Sequence, residues 1–144
     1  MRRFAILTAA VLTLLILSSG NTFAQRSWYR GNVRDVIRDL ESDTDSFKSS
    51  LDSALDRSRL NGTRTEDEIN EYVKKFEEAT DRLRDRAEDR QYAPNLAREV
   101  LNRGRAINAF MRRNRLGGPA ESDWAKVRND LNRLVYAYNL TWRW

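Results

Sequence analysis

The sequence predicts an all-α protein: an antiparallel up-down-up-down four-helix bundle preceded by a cleavable N-terminal signal peptide. Three observations carry that prediction. Apolar side chains recur at alternating steps of three and four along four segments, which is the spacing of one helix face and not of a strand. Asn61-Gly62-Thr63, Tyr92-Ala93-Pro94 and Gly117-Gly118-Pro119 separate those segments with turn residues. Folding consecutive segments back on each other about these turns sets apolar against apolar at nearly every level, an agreement between independent signals that marks a sequence specifying one fold.

Residues 1–24 have the layout of a secretory signal: basic Met1-Arg2-Arg3, an apolar run from Phe4 to Leu17, and small residues up to Ala24. Cleavage is expected after Ala24, and the apolar run is shorter than the ~20 residues of a spanning helix. No transmembrane span is expected once the segment is removed; the alternative is that it is kept as an N-terminal membrane anchor. The expected location is therefore the periplasm or the exterior, reached by the general export route.

The first helix is expected over about 32–59, with Val33, Ile37, Leu40, Thr44, Phe47, Leu51, Ala54 and Ser58 on its inner face. The second, over about 66–90, opens on a capping box of Thr65 and Glu68 and buries Ile69, Val73, Phe76, Thr80, Leu83 and Ala87. Pro94 opens the third, over about 94–115, where a first-turn proline removes only a donor that has no partner. Its stripe is Leu96, Val100, Gly104, Ile107 and Met111. The fourth, over about 119–139, carries Trp124, Val127, Leu131, Leu134, Val135 and Tyr138. Loops this short make sequential helices antiparallel neighbours. The register sets Leu51 with Val73, Phe76 with Ile107, and Gly104 with Leu131, and leaves a middle layer of Thr44, Thr80, Gly104 and Leu131. That layer reads either as a small polar pocket or as threonines bonded back to their own helices beside a glycine that permits close approach.

The 120 residues left after cleavage suit one domain. With no Cys and no His in the chain, disulfides, the usual zinc, copper and haem ligands and the commonest general base are all missing. No cofactor and no enzymatic activity are expected. Asp43-Thr44-Asp45 begins like a calcium loop, but Lys48 and Ala54 stand where its glycine and final glutamate belong.

Of the 26 basic residues only Lys48, Lys74, Lys75 and Lys126 are lysines. Arginine's planar fork suits carboxylates and phosphates, although a GC-rich genome produces the same bias. Losing Arg2 and Arg3 leaves 24 basic against 21 acidic side chains, a net charge of +3. With so small an excess and no recognition motif, nucleic acid is not an expected partner.

Residues 92–116 hold six arginines and one acid, Glu99. Arg98, Arg105 and Arg112 recur every seven residues, level with Glu71, Glu78 and Asp85 on the second helix. At about 100° per residue both triplets turn away from the core stripes. They are expected to face solvent rather than one another, which leaves the Arg stripe as a candidate surface for anionic envelope material.

The ending "VYAYNLTWRW" places Tyr136, Tyr138, Leu140, Trp142 and Trp144 at period two, like the closing strand of an outer-membrane barrel. The helical period of everything before it excludes a barrel of at least eight strands. In a bundle one end would collect Trp28, Tyr29, Tyr92, Tyr136, Tyr138, Trp142 and Trp144. Such a cluster serves either as a lid over the core or as an exposed patch for a sugar, a lipid interface or a partner.

With its signal segment, four amphipathic helices and the stretch "WAKVRNDLNRLVYAYNL", the chain resembles small exported bacterial four-helix-bundle proteins of unassigned function. It is similar in layout to the periplasmic four-helix cytochromes too, but has no His to ligate haem. The resemblance implies a non-enzymatic cell-envelope binding or structural protein whose partner is an anionic surface or another envelope protein. The alternative is a periplasmic stress holdase or adaptor that binds other proteins.

Overall fold

The computed structural model of the protein describes the backbone of residues 22–144 and the side chains of residues 33–144. The signal segment expected at 1–24 lies outside these residues except for the backbone of its last three. The Trp28 and Tyr29 side chains lie outside them as well.

Four helices make up the described chain: α1 (Thr22–Asp56), α2 (Arg64–Glu88), α3 (Pro94–Asn114) and α4 (Gly118–Ala137). There is no strand among the described residues, and no described helix is long and apolar enough to cross a membrane. Each helix has two neighbours. α1 packs most extensively on α4 and α2 on α3, while α3 and α4 have the least direct backbone contact.

The inner stripes close into one core. Leu40, Phe47, Leu55, Ile69, Phe76, Leu83, Val100, Ile107, Val127, Leu131 and Leu134 are fully buried, each large side chain contributing about 1.5–3 kcal/mol by leaving water. Ala54, Leu96 and Val135 are only partly buried at its margin, and Val36 and Leu101 join it beside the expected stripes. Wide inner faces of this kind are usual when a helix touches two neighbours at once.

Polar contacts between helices fix the register. Glu41 pairs with Arg84 at 2.7 Å and Lys48 with Glu77 at 3.0 Å, so numbers rise along α1 as they fall along α2. Arg82 to Glu99, and Gly104 beside Phe76, give the same opposed order for α2 and α3. Trp124 with Asn108, and Gly104 beside Leu131, give it for α3 and α4.

The helix ends differ from the simplest reading of the sequence. α2 is capped at Thr63 rather than Thr65: Glu66 reaches back to accept the Gly62 N–H, while the Thr63 hydroxyl donates to the Leu60 carbonyl. The Thr-x-x-Glu spacing occurs at 63–66 as well, and there the positive φ of Gly62 completes the turn. Three helices end on left-handed residues that are not glycine, namely Arg90, Arg115 and Asn139. Around Arg90 and Asn139 the paired backbone bonds Gln91 to Arg86, Arg90 to Ala87, Leu140 to Val135 and Asn139 to Tyr136 satisfy the last carbonyls of α2 and α4.

Candidate functional site

Asn139 turns the chain out of α4, and the tail that follows does not cap the bundle end. It doubles back along the α3–α4 seam to the middle layer. The Arg105 guanidinium donates to the Arg143 carbonyl at 2.8 Å and lies 4.3 Å from the centre of the Trp142 ring. Trp142 meets Trp144 edge-on at 6.1 Å, and the Trp144 indole donates to Asn132 Oδ1 at 2.8 Å. A Cβ on Gly104 would stand 3.8 Å from the Trp144 ring. Gly104 is a notch in α3 filled first by Leu131 of α4, with the Trp144 indole at its edge.

The expected aromatic patch is therefore divided. Trp142 and Trp144 are half-buried on the seam, whereas Tyr92 and Tyr138 stack at the bundle end with ring centres 5.5 Å apart. The Tyr92 hydroxyl donates to the Tyr138 carbonyl at 3.1 Å. Tyr138 is 1% exposed, and burial, with Tyr92 adding to it, pushes its phenol up to about 12. Tyr136 is 84% exposed. Tyr138 closes the core, and of the cluster's described side chains only Tyr92 and Tyr136 remain broadly open to solvent.

The arginine stripe is divided too. Arg98, Arg105 and Arg112 are all exposed, but Arg105 is committed to the tail, and among the described residues Arg98 makes only a long contact of 3.4 Å to Asn95. Glu71, Glu78 and Asp85 are exposed and do not meet these arginines; Glu71 pairs with Lys75 on its own helix at 3.0 Å. Glu99 is held instead by Arg82 and Arg103. Exposed pairs of this kind are weak, because water and salt screen their attraction.

The middle layer opens onto a cleft of about 530 Å³ between α1 and α2, where Thr44 and Thr80 sit among Glu41, Glu77, Asp81 and Arg84. Both hydroxyls donate to carbonyls one turn back, Thr44 to Leu40 at 2.6 Å and Thr80 to Phe76 at 3.0 Å, so neither has a proton left to donate to a ligand. Burial raises the Glu41 carboxyl above its ordinary value despite Arg84 beside it. No group of His, Cys, Asp and Glu suited to hold a metal ion occurs among the described residues.

Asp130 escapes the sequence reading, although its place three residues after Val127 puts it on the inner face of α4. It is 3% exposed. Oδ1 accepts from Arg133 at 2.8 Å, the same guanidinium nitrogen also reaching Asp39 at 2.9 Å, and Oδ2 is buried with no donor. The Asp43 carboxyl is within hydrogen-bonding reach. Burial, then Asp43, raise the Asp130 carboxyl above its ordinary value, outweighing Arg133; for Arg133 the two carboxylates outweigh burial and raise it as well.

A carboxyl raised on folding contributes stability that is complete below its unfolded value and is lost as pH climbs through the folded one. Asp130→Asn keeps an acceptor for Arg133 and presents an N–H to Asp43. It is expected to unfold at higher temperature than the parent at pH 7, with the gap closing toward pH 4. Thermal melts across that range check this, and a parent that gains on the Asp130→Asn variant as pH rises would contradict it.

The chain matches no protein-family model, no curated protein and no solved structure.

Proposed function

We propose that the protein is an exported, non-enzymatic helical bundle, antiparallel and up-down-up-down, that binds anionic surfaces of the cell envelope through the outer face of α3. The opposed residue order at all the helix contacts above supports the topology, and the grammar of residues 1–24 supports export. The observation that carries the binding reading is the charge of α3. Among the described residues Arg98, Arg112 and Arg113 stand exposed with no carboxylate partner, while the one acid of that helix, Glu99, is already taken by Arg82 and Arg103. Unpaired guanidinium groups attract phosphate and carboxylate over about a Debye length, ~8–10 Å at ordinary ionic strength.

Co-sedimentation with phosphatidylglycerol vesicles tests this reading, with phosphatidylcholine vesicles as the neutral reference. Binding is expected to the anionic vesicles alone, to weaken steeply with salt, and to fall about tenfold or more, ~1.4 kcal/mol, in Arg98→Glu/Arg112→Glu. Arg105 is left intact because its loss would also free the tail. Equal binding to both vesicles, or no effect of the reversals, rejects the reading. Absence of vesicle binding together with suppressed aggregation of an unfolded client favours the holdase. N-terminal sequencing of the exported chain is expected to begin at Gln25.

A further inference from the structure

A second charged feature lies at the end of the bundle where α1 meets α2 and α3 meets α4. The turn that follows α1 and the turn that follows α3 enclose a cleft of about 500 Å³. Arg57, Arg59 and Arg115 line it, and no carboxylate does. Its other walls include Leu60, Leu116 and Pro119, the two leucines being half-buried against the core. The three guanidinium groups make no hydrogen bond or ion pair with any described residue. Two carboxylates at this end are turned into backbone caps instead, Glu66 on the Gly62 N–H and Glu121 on the Gly117 N–H.

Arg115 is the most informative of the three. It closes α3 with φ 39° and ψ 65°, its N–H donating to the Met111 carbonyl at 3.1 Å. Glycine is the residue least strained in that conformation and the usual one at such a helix end. A cation at the carbonyl end of a helix gains only a weak, salt-screened attraction to the helix dipole, and among the described residues the side chain makes no hydrogen bond or ion pair with a neighbour. What arginine adds at this position is a cation on the wall of the cleft.

We propose that this cleft binds an amphiphilic anion, a phosphate group carried on an apolar chain. The forked guanidinium groups match phosphate oxygens, and Leu60, Leu116 and Pro119 offer apolar surface to the chain attached to them. None of these residues belongs to the α3 face of Arg98, Arg105 and Arg112, so the cleft stands whether or not that face binds membranes.

Titration calorimetry of the full protein with decyl phosphate, kept below its micellar concentration, tests the proposal. Saturable binding is expected, weakened about tenfold or more by Arg115→Gly and by Arg57→Gln/Arg59→Gln. Arg115→Gly relieves the left-handed strain, so its melting temperature is expected to equal or exceed the parent's, which separates a lost site from a lost fold. Arg98→Glu/Arg112→Glu is expected to keep its affinity for decyl phosphate. Inorganic phosphate, without the apolar chain, is expected to bind far more weakly, and decyltrimethylammonium not to compete. If phosphatidylglycerol vesicles also lose affinity for Arg115→Gly, the source of the phosphate is a bilayer headgroup; if only decyl phosphate does, it is a free amphiphile. Undiminished decyl phosphate binding by Arg115→Gly, or equal binding of decyltrimethylammonium, overturns the proposal.

Discussion

Trp124→Ala is expected to destabilise the fold by about 4 kcal/mol, at the upper end of large-to-small changes in a core. The indole is 3% exposed and lies against the Phe47 ring, with centres 5.1 Å apart and planes tilted by 49°. Its Nε1 donates to Asn108 Oδ1 at 3.1 Å, and Asn108 is itself buried. Alanine removes the packing between α1, α3 and α4 at one stroke and strands a buried amide oxygen. Trp124→Phe isolates the polar part and is expected to cost about 1–2 kcal/mol, since the aromatic contact survives and only the hydrogen bond is lost. Urea unfolding gives both values, with the midpoint falling and the slope unchanged. A loss below ~1 kcal/mol for the alanine variant would mean that the site collapses around the void.

Gly104→Leu is expected to cost about 3 kcal/mol and to eject the tail. A Cβ at this position would stand 2.8 Å from Leu131 Cδ1 and 3.5 Å from Phe76 Cε2, both on fully buried side chains. A leucine there must displace Leu131 and Phe76, which are held in the core, or the half-buried Trp144 indole at the edge of the contact. Alanine is a milder case: its helix propensity is better than glycine's by about 1 kcal/mol, which offsets much of the shift that Leu131 must make. The net change for Gly104→Ala is therefore expected to be small. Tryptophan emission should move to the red in Gly104→Leu as Trp142 and Trp144 enter water. Trp144→Ala combined with Gly104→Leu should cost less than the two changes added separately, because both release the same contact. Strict additivity would show that the tail does not depend on the notch.

Those two variants also mark how far the sequence can be read. Trp124, Phe76, Ile107 and Leu131 fall on strict helical periods, and their burial follows from local spacing alone. Register arithmetic across a turn matches Gly104 with Leu131, and the two do meet. The tail is not legible in the same way. Residues 139–144 carry no period that fixes a direction, and the reversal depends on a left-handed Asn139 and on a groove that exists only after α3 and α4 have met. Arg105 looks like its heptad companions Arg98 and Arg112, yet among the described residues only Arg105 has both an indole and a carbonyl within reach. Asp130 is hidden by the habit of placing charge outside, an average tendency that pairing with Arg133 can reverse. Arg57, Arg59 and Arg115 sit in turns, where sequence spacing says nothing about which side chains share a cavity.

The largest helix contact joins the first helix to the last, residues 22–56 to residues 118–137. Ring closure of that kind carries a consequence for how the chain assembles. The α2–α3 hairpin needs only a short loop to form, whereas docking α1 on α4 must close some 60 intervening residues, an entropic cost that grows slowly but is met last. The outer pair thus acts as the clasp of the ring. Amide protons of α1 and α4 should exchange with deuterium at a common rate set by opening of that clasp, while those at the centre of α2 and α3 persist until global unfolding.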